Sequence, residues 1–144
     1  MKGKTHLVLL EQIVMLAVFA LAAALCLRAF ALADRLSREN MVRDRAVLLA
    51  QNTAEVCRSG RGDTAFLMEK LGGEGSAQSW KAFCGEDLSI VEDSDQPVYR
   101  VAVLHEESKK PGLGRAEVSV YMAEDGRLLV KLPVAWQEEV KKDG

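Results

Sequence analysis

The sequence predicts an α+β protein: one long N-terminal helix, membrane-spanning in its first half and amphipathic in its second, packed on a small antiparallel sheet of three to four strands. Three observations predict it. Residues 7–27 form a nearly unbroken apolar run. A helical apolar spacing continues beyond that run, with no Gly or Pro between Lys4 and Ser59. From Trp80 onward the spacing changes to a period of two, which is the signature of half-buried strands.

The 21 residues from Leu7 to Leu27 have Glu11 and Gln12 as their only strongly polar members. At 1.5 Å rise they extend about 31 Å, the thickness of a bilayer core of about 30 Å. Lys2 and Lys4 precede the run, which favours a cytoplasmic N-terminus. Arg28, Arg35 and Arg38 follow it and weaken that orientation signal. Beyond the run, Ala31, Leu32, Leu36, Val47, Ala50, Ala54 and Cys57 keep a three-and-four spacing, while Arg35, Arg38, Glu39, Arg43, Asp44 and Glu55 crowd the other directions. This divides the chain into a short basic leader or cytoplasmic tail (1–6), a transmembrane helix (7–33), its amphipathic continuation (34–58) and a small extracytoplasmic β-rich domain (59–144). A cleavable secretory signal is the competing reading, because "AFALAD" offers a small-residue cut after Ala33. Arg28, Glu11 and the uninterrupted helical pattern count against it.

After Cys57 the pattern breaks at "RSGRGD". Asp63 reads as the N-cap of a short helix, Thr64 to Leu71, ended by Gly72 and Gly73. Arg61-Gly62-Asp63 matches an integrin-recognition tripeptide, but a loop leading into a capped helix explains it better. "GGEGSAQS" (72–79) reads as a flexible connector without the lysine and serine spacing of a phosphate loop. Residues 98–106 read as a strand, and "SKKPGLG" (108–114) as the turn after it. The next run puts Ala116, Val118, Val120 and Met122 on one face, against Glu117, Ser119 and Tyr121. Glu124-Asp125-Gly126 is a hairpin signal, since glycine accepts the positive φ that such turns demand. The last run puts Leu128, Val130, Leu132, Val134 and Trp136 on one face; Pro133, lacking an amide hydrogen, makes it an edge or bulged strand. A fourth strand comes from 80–84 or 88–91. The apolar stripe of residues 36–57 is the natural cover for the sheet.

The net charge of −2 hides an asymmetry: residues 1–58 carry +3, and residues 59–144 carry −5. The acidic half lacks the basic stripe that a phosphate backbone needs, which excludes direct nucleic-acid binding. Cys26 lies in the apolar run and reads as a small core residue. Cys57 and Cys84 are either a disulfide pair, if the domain is extracytoplasmic, or two separate thiols. His105 with Glu106 and Glu107 reads as a solvated strand end rather than a ligand set. The acidic segment 85–97 lacks the glycine-centred loop of an EF-hand. No catalytic constellation is present, so the sequence predicts no enzyme, cofactor, resident metal or small-molecule substrate.

The N-terminal stretch "KGKTHLVLLEQIVML" resembles the start of type IV pilins and of the pseudopilins of type II secretion and DNA-uptake machines. The likeness covers residues 1 to about 58. In that family a basic leader ending in glycine is removed by a prepilin peptidase, and the fifth residue of the mature helix is glutamate. With Leu7 first, Glu11 falls fifth, and the processing boundary lies between His6 and Leu7. His6 stands where the family has glycine, and Gly3 lies three positions earlier. The resemblance implies a pilin-like subunit of the cytoplasmic membrane, single-pass with its C-terminal domain outside. Its partners would be the lipid bilayer, other pilin-like subunits and a membrane assembly platform. It further implies that the Glu11 carboxylate matches the N-terminal amine of a neighbouring subunit. The simpler readings of Glu11 are a side chain that snorkels to the headgroups, one that pairs with Lys4 or Lys2 of its own chain, and a protonated acid. Some pseudopilins also bind calcium in a loop near the C-terminal end. Two other readings compete: a monomeric single-pass protein with a small binding domain, and a secreted domain released after Ala33.

Overall fold

In a computed structural model, which describes residues 2–139, the chain divides into two compact units between Met41 and Val42. Helix α1 spans Lys2–Ser59, 58 residues, and so extends past the predicted 7–58 at both ends. It stops where Arg61 and Gly62 take positive φ values of 51° and 75°. The Arg61 and Gly62 amides then bond back to the carbonyls of Arg58 (3.1 Å) and Cys57 (2.8 Å), which satisfies the last turn. Helix α2 spans Thr64–Leu71, as its flanking residues predicted. The Asp63 carboxylate accepts from the Ala65 amide at 3.0 Å, and the Gly72 amide donates to Met68 O at 2.9 Å.

The sheet in the second unit is larger than expected. Its strands are β1 (Glu74–Gly75), β2 (Ser79–Cys84), β3 (Ile90–Val91), β4 (Tyr99–Glu106), β5 (Leu113–Met122) and β6 (Leu128–Gln137). The order is β1-β2-β4-β5-β6, with β3 also paired to β2, and every pairing is antiparallel. Six strands therefore replace the expected three or four. Both proposed fourth strands form, and the connector 72–79 holds β1 and the start of β2. The hairpin between β5 and β6 turns at Gly126 (φ 71°), with the Met122 amide bonded to Arg127 O at 2.8 Å.

One face of α1 covers the sheet. Ala46, Leu49, Ala50, Thr53, Ala54 and Cys57 share a core with Trp80, Ala82, Tyr99, Val101, Val103, Val118 and Val120. Alanines at 46, 50 and 54 recur every four residues, so the helix backbone can approach the β-branched sheet face closely. Thr53 satisfies its buried hydroxyl by donating to Leu49 O at 2.8 Å. Strand β6 is an edge strand, one of the two readings that Pro133 offered; its bulge lies away from Pro133, which pairs in register with Glu117. The bulge moves one assigned residue: Val120 pairs with Val130 but Tyr121 pairs with Leu128, so Leu129 is skipped. Leu129 packs against the core in place of Leu128, which is 44% exposed.

Candidate functional site

The segment with the clearest chemical demand is the apolar part of α1. Every described residue from Lys2 to Met41 is exposed in the isolated chain. Leu7, Phe19, Leu27 and Phe30 are 67%, 75%, 72% and 78% exposed. A contiguous apolar surface of this extent does not stay in water unaccompanied. The helix is long and apolar enough to cross a membrane.

Glu11 sits four residues past Leu7, about 6 Å along the axis. Side chains three or four positions away are its helical neighbours, and these are Leu7, Val8, Val14 and Met15, all apolar. Lys4 is seven positions back, two turns away. Among the described residues, none of the chain's ion pairs involves Glu11. Within one helical turn this carboxylate thus has no charged side chain beside it. His6 and Leu7 lie on the same unbroken helix, immediately before it. Further along, Arg38 pairs with Asp34 at 3.1 Å and Arg35 with Glu39 at 3.3 Å, both one turn apart and solvent-facing.

The cysteines are all free thiols. Cys26, read from sequence as a core residue, is exposed on α1. Cys57 and Cys84 are both buried in the core, but at opposite ends of it. Cys57 O holds Gly62 N, and Gly62 O in turn meets the His105 ring at 2.6 Å, so Cys57 lies at the far end of β4. Cys84 pairs with Tyr99 at the start of β4, six residues or about 20 Å away along the strand. A disulfide needs Cα atoms within about 7 Å, so the pairing considered from sequence does not fit this fold. Burial raises the Cys57 thiol pKa. Burial, and then the Asp87 charge, push Cys84 from an ordinary 9.0 up to about 11.

The remaining motifs are absorbed by the fold. In Arg61-Gly62-Asp63, Arg61 pairs with Glu139 at 3.1 Å, Gly62 is buried under Trp136, and Asp63 caps α2. In the acidic segment, Glu86 binds Arg45 at 3.2 Å. Asp87 closes a turn on the Ser89 amide and hydroxyl, which holds its carboxyl below the usual range. Among the described residues no cluster of three or more His, Cys, Asp or Glu side chains is arranged to hold a metal. His105 points both ring nitrogens at backbone carbonyls, Gln78 O (2.9 Å) and Gly62 O (2.6 Å), and Trp136 stands edge-on to it at 5.8 Å. Sequence reasoning missed this His105–Trp136–Gly62 cluster, because its partners are loop carbonyls that only the tertiary fold brings together. No protein family, curated protein or solved structure matches this chain.

Proposed function

We propose that the protein is a membrane-anchored, pilin-like structural subunit that assembles with other subunits through its N-terminal helix. The anchor is the apolar part of α1, with the N-terminus cytoplasmic and the acidic half outside the cytoplasmic membrane. The observation that carries the reading is Glu11, a carboxylate inside an apolar helix whose own helical neighbours are all apolar. An ionised acid at mid-membrane costs about 3 kcal/mol on insertion scales, less near the end of the span. A cationic group on a neighbouring subunit, including a freed α-amine at Leu7, offsets that cost. Assembly thereby becomes the condition under which the residue is tolerated.

The test is cross-linking between copies in native membranes, wild type against Glu11→Ala. The reading expects loss of cross-linked species while the β-rich half stays folded; unchanged cross-linking rejects it. The N-terminal residue of the isolated protein sorts the competing readings. Leu7 marks prepilin-type processing, Met1 or Lys2 an uncleaved anchor, and Asp34 a secretory signal cut after Ala33.

A further inference from the structure

The sheet face turned away from α1 carries a depression built by strand register. Tyr99, Val101, Val103, Val118 and Val120 are buried on the covered face. Alternation therefore turns Arg100, Ala102 and Leu104 of β4, and Glu117, Ser119 and Tyr121 of β5, the other way. The register sets these outward residues in rows across the strands. Phe83, Arg100 and Tyr121 form one row, and Lys81, Ala102, Ser119 and Lys131 form the next. Leu104 and Glu117 stand in the third. The two short side chains in the middle row, Ala102 and Ser119, leave a hollow between the taller rows. It measures about 510 Å³, the size of a small-molecule site. Lys81, Leu104, Glu117 and Tyr121 wall it, together with the connection from β1 to β2.

The charge around this hollow differs from that of the acidic half it belongs to. Three cations, Lys81, Arg100 and Lys131, face two carboxylates, Glu74 and Glu117. Lys131 is committed to Glu117 at 2.9 Å, and Lys81 reaches Glu74 only at 3.7 Å. Among the described residues, none of the ion pairs involves Arg100. Its guanidinium stands instead over the Tyr121 ring, 4.8 Å from the centroid, so its N–H donors have no carboxylate. Ser119 is only 6% exposed, and its hydroxyl makes one long bond, 3.4 Å to Glu117 Oε1. Leu104, by contrast, is 57% exposed at the rim.

We infer that the hollow is a binding site for a small organic carboxylate with a flat apolar body. The carboxylate takes the Arg100 guanidinium, whose planar fork matches two oxygens, with Lys81 as the second cation. The apolar body lies over Ala102, between Leu104 and Tyr121, and removes Leu104 from water. A neutral ligand would leave Arg100 unanswered. A bare inorganic anion would leave Leu104 uncovered. Both features are met only when charge and apolar surface belong to one molecule.

Nitrogen-15 amide NMR of the full chain in non-ionic detergent micelles at pH 7, titrated with indole-3-acetate, tests the site. Saturable shifts centred on Ala102, Ser119 and Tyr121 are expected, half-complete at or below about 1 mM. No saturable shift in that range overturns the proposal. Indole-3-acetamide, the uncharged isostere, and inorganic phosphate should each bind at least about fivefold more weakly. Equal affinity for the amide removes the role of charge, equal affinity for phosphate removes that of the apolar wall, and either overturns it. Arg100→Gln should weaken indole-3-acetate at least about fivefold. Ala102→Phe, which fills the floor and keeps every charge, should abolish binding. Both substitutions lie on the uncovered face, and unshifted amides at Val101 and Val118 report an intact core. Lys109→Gln, outside the hollow, should change affinity by less than about twofold. Wild-type affinity in Arg100→Gln or Ala102→Phe overturns the site. Shifts at the same residues on concentrating the protein alone assign the face to a second copy, and overturn it too.

Discussion

At the scale of single residues, three positions carry chemistry that their neighbours do not relieve. Glu11 has only apolar helical neighbours, and Cys57 and Cys84 are thiols sealed at opposite ends of one core. Because the thiol is the nucleophile only when ionised, burial makes both cysteines inert. In the native protein at pH 8, alkylation should therefore spare Cys57 and Cys84, and denaturant should expose both. Intact mass should not change on reduction, as a Cys57–Cys84 bridge would require. The folded state favours the neutral Cys84 thiol, so its contribution to stability holds below about pH 9 and is lost as pH rises toward about 11. Thermal melts of wild type against Cys84→Ala across pH 8–11 check the sign, since only the wild type should carry that extra alkaline loss. Trp136 makes a steric counterpart. A Cβ at Gly114 would overlap its indole, so Gly114→Ala should cost about 1–3 kcal/mol by overpacking, read from urea denaturation.

At the scale of elements, local chemistry sets boundaries and tertiary pairing sets the rest. The cap made by Asp63 is local: Asp63→Ala should cost about 1 kcal/mol, a drop of roughly 4–8 °C in Tm for a domain of this size. The same locality made α2, the Gly126 hairpin and the edge character of β6 legible in the sequence, since each is written in caps, turn glycines or a proline. Strands β1 and β3 were not equally legible. Two residues carry no periodicity, and Glu74–Gly75 is a strand only because Trp80 and Lys81 lie beside it. The displacement of Leu128 has a similar origin. A bulge exchanges faces without changing the alternation of the residues themselves. The candidate assembly residue was legible for the opposite reason. A lone carboxylate in an apolar run stands out from composition alone, whereas the His105 ring contacts depend on two carbonyls from distant turns.

At the scale of the whole molecule, the two halves of the sequence carry opposite charge and opposite exposure, one apolar and basic-flanked, the other acidic with a sealed core. The sheet does little to invite pairing through its edges. The outer edge of β2 is occupied in turn by β1 and β3, and the free edge of β6 carries Lys131 and Pro133, both of which oppose strand addition. In the proposed reading, association falls to the helix, and within the helix to Glu11. The central claim is most directly tested by energy transfer between donor- and acceptor-labelled full-length chains in lipid bilayers, at increasing protein-to-lipid ratio. The account predicts transfer above the random-encounter level for wild type and a weakening of roughly 5- to 30-fold for Glu11→Ala, the 1–2 kcal/mol of a polar contact between helices in lipid. Transfer no greater than random for wild type, or equal for both proteins, would contradict it.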